Sequence, residues 1–276
     1  MDIDSTPVER DVQLDQDTRN VAIQEVGISD VKFPITVAGL ELDDAACQQV
    51  AATGSLAVSL GRKVKGIHMS RLMEDLLVQN GEISLNAIPA LLHTLKEHQG
   101  AEEASFSMTF DYFLDRQAPV SGRTAKQAYG CNYQGRIQGS RVALIQKVEV
   151  PVTTLCPCSK EISEYGAHNQ RGYVEIELNH YFTVEQEPAV RICLEELIEG
   201  VESRASAPLY PVLKRVDERY VTMKAYEEPR FVEDMVREVA VMLREDVRID
   251  RWRVQVTNHE SIHQHNAYAV VSGSRK

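Results

Sequence analysis

Two cysteines and a histidine within one polar stretch are the first residues whose types could support chemistry. Residues 151–172 read PVTTLCPCSKEISEYGAHNQRG, with Cys156 and Cys158 flanking Pro157 and His168 twelve positions after Cys156. Thiolate and neutral imidazole both suit a zinc-type ion. Cys-x-Cys alone lacks the Cys-x-x-Cys spacing of zinc ribbons and thioredoxin-like motifs, and Pro157 decides whether both thiols can reach one site. A metal site, a reactive thiol, a disulfide and a loop with one buried and one exposed thiol all stay open at this level.

A second cluster, NHESIHQHNAYA at 258–269, holds His259, Glu260, His263 and His265. Three of the chain's eight histidines fall there, just before the last expected strand. It is not read as the helical His-Glu-x-x-His of metalloproteases. A metal site and a polar hairpin connection with solvated rings are the two readings.

Charged residues mark two further segments. Within 209–238, Lys214 and Arg215 form a basic pair in an acidic chain, and Glu218 and Glu233 are carboxylates on either side of a turn. Surface charge, and for Glu233 a favourable interaction with a helix dipole, are the plainer explanations. In KGIHMSRLMEDL at 65–76, Ser70 and Arg71 lie in the opening turn of an expected helix, where free N–H groups favour an anion. Lys65 and His68 add to that character, although Ser70 also suits a helix cap.

The whole chain limits what these segments can be. At 276 residues and 43% hydrophobic content it can bury a real core. No apolar run approaches the ~20 residues that span a bilayer. The N-terminus is acidic and polar without a signal pattern, so residues 1–20 are expected as a flexible arm and the protein as cytoplasmic. Five cysteines do not suggest a secreted disulfide framework; Cys47, Cys131 and Cys193 are expected as small buried residues. The net charge of −11 argues against nucleic acid as a partner, and any anionic ligand needs a local basic cluster.

Hydrophobic periodicity supplies the frame that must position these groups. Residues 31–38 and 47–60 read as strands. Leu72, Met73, Leu76 and Leu77 fit a helix ended by Asn80-Gly81, and Ile88, Leu91, Leu92 and Leu95 fit a second over 84–98. Strands follow at about 106–112 and 125–138, with Phe106, Met108, Phe110 and Tyr112 alternating. The order then recurs, with strands at 140–153 and 172–183 and helices at 189–203 and 229–244. Val190, Leu194, Leu197, Ile198 and Val201 mark the first of these helices; strands near 252–256 and 267–272 complete the set. The chain thus reads β-β-α-α-β-β twice, as units 21–139 and 140–276 meeting near Gly139. This is an α+β architecture of antiparallel sheets with helices on one face, and its open edges favour oligomers.

Taken together, DTRNVAIQEVGI, KGIHMSR, PVTTLCPCSKEIS…GAHNQRG, LYPVLKRVDERYVT…AYEEPRFVEDMVR and NHESIHQHNAYA resemble the GTP cyclohydrolase type IB family. The resemblance runs from about Asp17 to near the end of the chain. It implies a tandem tunnelling fold assembled as a homotetramer with active sites at subunit interfaces. It also implies hydrolysis of GTP to formate and 7,8-dihydroneopterin triphosphate, the entry to folate, with one divalent metal per site (Mn2+, Zn2+ or Fe2+).

Carried over by residue, the resemblance implies metal ligation by Cys156, His168 and Glu218, with Glu233 close by. Glu260 would anchor the purine, and His263 would transfer protons with His265 as second choice. By charge and position rather than by the resemblance, Lys65, His68, Ser70, Arg71, Lys214 and Arg215 are the candidates for binding the triphosphate against the acidic background. Two other readings compete: a nitrile reductase of the same fold, using NADPH and a cysteine nucleophile, and a non-catalytic pterin- or purine-binding protein.

Overall fold

The computed structural model describes residues 12–37, 47–78, 83–186 and 192–275. The first run comprises strands β1 (Ile23–Val37) and β2 (Gln48–Leu60), helices α1 (Met69–Leu77) and α2 (Ile88–Gln99), and strands β3 (Glu103–Gln117) and β4 (Thr124–Gln138). The second comprises β5 (Arg141–Leu155), α3 (Pro157–Ile162), β6 (Asn169–Thr183), α4 (Leu194–Glu202), β7 (Ala207–Pro208), α5 (Arg215–Glu227), α6 (Val232–Glu245), β8 (Arg251–His259) and β9 (Ala267–Ser274). The strands make one antiparallel sheet in the order β1-β2-β3-β4-β5-β6-β8-β9, with β7 paired to β5. β4 and β5 pair directly across a turn in which Gly139 has φ 58°, so the two runs share one sheet. Among the described residues no helix is long and apolar enough to cross a membrane.

Strand alternation explains the main core. Phe106, Met108, Phe110 and Tyr112 of β3, Val148, Val150 and Val152 of β5, and Val174, Ile176 and Leu178 of β6 all point to the helical face and are buried. The apolar stripes of α1 (Leu72, Leu76), α2 (Ile88, Leu91, Leu92, Leu95), α4 (Leu197, Ile198, Val201) and α6 (Met235, Val239, Leu243) join them in one cluster. The helix α2 lies so close to β4 that a Cβ on Gly135 would stand 2.4 Å from Ile88 Cγ2 and 2.9 Å from Leu92 Cδ1.

Polar contacts lock the two runs together beneath α4. Tyr112 donates its hydroxyl to Glu195, and Tyr129 donates to Glu202 at 2.5 Å. Arg116 reaches the other oxygen of Glu202 at 3.0 Å. A second tie is Asp217 in the first turn of α5. It accepts from the N–H groups of Val120 (2.9 Å) and Ser121 (2.7 Å), from the Ser121 hydroxyl (2.6 Å) and from the N–H of Lys214 (2.8 Å). The start of α5 is thereby fixed to the β3–β4 turn.

Several expectations need adjustment. β1 begins at Ile23 rather than 31, because register shifts and the positive φ of Asp30 break its alternation. α2 begins at Ile88, after a turn over 84–87. β5 and β6 each extend further toward the 156–168 loop than 153 and 172. Helices α3 and α5 were not expected, since α3 has six residues and α5 buries only Asp217 and Ala225. Cys47 is exposed just ahead of β2, whereas Cys131 is buried and Cys193 half-buried; all five cysteines are free thiols. Residues 1–11 of the expected arm, Ala38, the Asn80-Gly81 stop and Val190 lie outside the described residues.

Two substitutions test this frame. Gly135→Val forces side-chain bulk into Ile88 and Leu92 and should destabilise by about 1–3 kcal/mol, read as a lower urea midpoint with an unchanged slope. Burial opposes ionisation of Asp217, but its hydrogen bonds from Ser121, Lys214 and Val120 hold its carboxyl well below the usual carboxylate range. Its stabilisation is therefore present above the unfolded pKa of about 3.9 and is lost as pH falls toward the lower folded value. Urea melts should show Asp217→Asn less stable than the parent at pH ~7, with the difference shrinking on acidification below about pH 4.

Candidate active site

The core-facing row of the sheet leads directly to the expected site. Val152 pairs with Gly172, Thr154 with Gln170, and Gly172 with Asn258. Because side chains alternate, Cys156 continues the row of Val152 and Thr154, His168 that of Gln170 and Gly172, and Glu260 that of Val256 and Asn258. Thr154, Gln170 and Asn258 are buried, while Cys156, His168 and Glu260 are half-buried. The core thus ends in polar side chains where it opens to solvent.

Pro157 turns the chain after β5. Its fixed φ suits the first position of a helix, and α3 starts there with Cys156 as N-cap. Cys156 Sγ accepts the Ser159 N–H at 3.4 Å, and Cys158 is exposed. Ser159 also receives the His168 N–H on its hydroxyl at 3.0 Å. One further bond, Cys156 N–H to the His168 carbonyl at 3.1 Å, carries the β5–β6 ladder one step past its end. Cys156 and His168 therefore stand side by side across the neck of a closed loop.

The His168 ring engages Gln170 through Nδ1 (3.0 Å), and among the described residues no hydrogen bond takes up Nε2. Helix α5 covers the same corner. Its Val221 and Ala225 pack with Leu155, Ala167 and Ala207. Glu218, three residues before Val221 and seven before Ala225, shares that face and is solvent-exposed. Arg230 N–H donates to the Leu155 carbonyl at 3.0 Å, which brings the first turn of α6 and the exposed Glu233 beside the end of β5.

The structure thus makes neighbours of Cys156 and His168, while Glu218, Glu233 and Glu260 are exposed or half-buried on elements that reach the same end of β5 and β6. It does not close a cage: among the described residues no three His, Cys, Asp or Glu side chains stand close enough to hold a metal ion. The donor set nonetheless suits a divalent ion, with a half-buried thiol, an imidazole whose Nδ1 is already engaged, and an accessible carboxylate.

The histidine cluster takes a form that its sequence did not show. Residues 259–263 spell His-Glu-x-x-His, but β8 ends at His259 and 261–265 follow as bends, so no helix face carries the two imidazoles. His259 lies against Tyr173, with ring centroids 4.8 Å apart and the rings tilted by 46°. His263 and His265 stack on each other, 5.0 Å apart and 14° from parallel, and both are exposed. Preferring one of them over the other has no basis in this geometry, because the bend presents both rings together.

The expected phosphate ligands form two separately held groups. Lys65 pairs with Asp15 at 3.6 Å. The backbone of His68 is gripped by Gln99, which both accepts from its N–H (3.2 Å) and donates to its carbonyl (3.0 Å). Arg71 reaches the His98 carbonyl at 3.4 Å. The N-cap of α1 is His68, so Ser70 lies inside the first turn and does not cap it. Lys214 is the N-cap of α5 and Arg215 its first residue, both exposed. Sequence reasoning missed Thr154, Ser159, Gln170, Ser206 and Asp217. Ser206, fully buried, accepts the Leu155 N–H at 3.1 Å; the only sequence signal was polar residues at core-facing positions next to the motif.

Comparison with known proteins agrees along most of the chain. A family model described as type I GTP cyclohydrolase folE2 matches residues 10–269. The chain is 42% identical over 266 residues to GTP cyclohydrolase FolE2 of Magnetococcus marinus, covering 96% of each. It is 43% identical over 267 residues to GTP cyclohydrolase FolE2 of Desulfosudis oleivorans, covering 96% of this chain and 98% of the relative. Among solved structures, uricase from Arthrobacter globiformis aligns with a TM-score of 0.52 at 10% identity, over 97% of this chain and 96% of that one. At that identity the likeness concerns fold alone, and the fold is the expected tunnelling fold.

Proposed function

The chain belongs to the FolE2 family of type I GTP cyclohydrolases, and from that membership we propose that its catalytic centre is the corner where β5, β6, α5 and β8 meet. The protein is a GTP cyclohydrolase of folate biosynthesis: GTP is hydrolysed at guanine carbon 8, giving formate and 7,8-dihydroneopterin triphosphate. Similarity to FolE2 enzymes over 96% of the chain sets aside the nitrile-reductase and non-catalytic readings.

The observation that carries the site assignment is the backbone closure that sets Cys156 beside His168 at the open end of the core-facing row. In this reading the chain is the metal-dependent type IB form, and Cys156, His168 and Glu218 would hold one divalent ion. A bound ion of this kind lowers the pKa of a coordinated water toward neutrality. With a carboxylate in place of a second thiolate the set is harder, hospitable to manganese as well as zinc or iron. The half-buried Cys156 capping α3, rather than the exposed Cys158, suits the ligand role.

The remaining residues divide the work by chemistry. Glu260 would accept from guanine N1–H and the exocyclic amine, a paired contact that adenine cannot satisfy. His263 and His265, stacked and solvent-accessible, would deliver and recover the protons of ring opening and formate release. Glu233 would lie close to the metal. Lys65, His68, Ser70, Arg71, Lys214 and Arg215 would hold the triphosphate against the net charge of −11.

Self-association into a homotetramer fits the same picture. Among the described residues, β1 and β9 each have one paired neighbour. Val216, Tyr220 and Met223 form an exposed stripe on α5, and Tyr165 in the adjoining loop is 98% exposed. Contact between copies would bring the two basic groups to one substrate.

Metal-reconstituted protein incubated with GTP should release formate and yield a fluorescent pterin on oxidation, and chelation should stop both. Cys156→Ala should lose metal stoichiometry and more than the roughly 100-fold in rate that loss of an outer-shell partner costs. Cys158→Ala should stay close to the parent. Formate release from fully chelated protein would remove the metal from the scheme.

A further inference from the structure

We infer that Gln170, held by Thr154, is a positioning residue that keeps the His168 proton on Nδ1 and so leaves Nε2 as the ligating nitrogen. This rests on the reading of His168 as a metal ligand, but its central claim concerns the imidazole alone.

Thr154 and Gln170 are direct register partners on β5 and β6, and both face the core. Thr154 is 0% and Gln170 7% exposed, so neither can exchange its partner freely for water. Gln170 Nε2 donates to Thr154 Oγ1 at 3.0 Å, and Gln170 Oε1 lies 3.0 Å from His168 Nδ1. An amide has one donating and one accepting end. With its nitrogen placed against Thr154 Oγ1, Gln170 turns Oε1 to His168, and a neutral ring meets that acceptor with Nδ1–H. The lone pair then sits on Nε2, which no hydrogen bond occupies among the described residues.

The backbone supports the same orientation. His168 is fixed at its N–H by Ser159 and at its carbonyl by Cys156, so the ring pivots about an anchored stem. A histidine bound to a metal characteristically donates its other N–H to a carbonyl or carboxylate, which fixes ring direction. Here a side-chain amide takes that place. Thr154 acts one step removed: its hydroxyl is the partner that the buried amide nitrogen has in this geometry, and without it that nitrogen loses its bond.

Ring ¹⁵N shifts of metal-free protein, recorded at about pH 8, test the tautomer directly. The His168 signals are identified by their absence in His168→Asn. Nδ1–H is expected, and an Nε2–H ring would overturn the proposal without any variant having to fold. Chelator competition with Zn2+ then tests the consequence. Gln170→Leu should weaken binding roughly 10- to 100-fold, Thr154→Val should weaken it less, and Gln170→Glu, which keeps an acceptor, should retain it. Parent-like affinity in Gln170→Leu would overturn the positioning role. Unchanged affinity in His168→Asn would instead remove His168 from the ligand set while the tautomer result stood on its own.

Discussion

Strands β5 and β6 pair without slippage from Arg141↔Thr183 to Leu155↔Asn169, and the placement of Cys156 beside His168 depends on that register. Val148, Val150, Val152, Val174, Ile176 and Leu178 lie on its core side with no exposed surface. Burying each contributes roughly 1.5–3 kcal/mol. A slip by one residue would turn a whole strand's set to the other face, so the apolar residues fix the pairing far more firmly than any contact at the site. Cys156 and His168 then fall on the same side because they extend that row, and the Cys156–His168 backbone bond closes the loop between them.

The surrounding elements turn this pair into a corner with several walls. α5 supplies Glu218, and its start is held by Asp217 on the β3–β4 turn, a part of the chain nearly a hundred residues away. The carboxylates Glu195 and Glu202, bound by Tyr112, Tyr129 and Arg116, hold α4 to the same two strands. Removing one member of such a buried set costs more than the set contributes net, because its partner stays desolvated. The frame is therefore specified by polar as well as apolar contacts, and the exposed groups of the corner stand on rigid supports.

Much of this was legible beforehand and for identifiable reasons. The helices carrying Leu72 and Leu76, Ile88 to Leu95, and Met235 to Leu243 announce themselves because each buries one apolar stripe. The strand from Phe106 to Tyr112 does so by alternation. Helix α5 gives no such signal: Val216, Tyr220 and Met223 face outward, and what it buries is a carboxylate and one alanine. The start of β1 is hidden by its register shifts. The motif residues Cys156, His168 and Glu260 stood out by type, whereas Thr154, Ser159 and Gln170 are ordinary polar residues whose importance comes only from what they touch.

The sequence by itself determined which residue types are available, the element order of the first run, the apolar faces and, through its long motif strings, the family. These follow from local periodicity and chain identity, which need no knowledge of distant contacts. Tertiary structure decided that Cys156 caps a helix while Cys158 faces solvent, that His263 and His265 stack at a bend, and that Gln170 stands between Thr154 and His168. Each of those depends on a strand register or a turn direction set by burial elsewhere in the chain. A side chain's partners are fixed by the packing of the whole sheet, and no window of sequence around it contains that information.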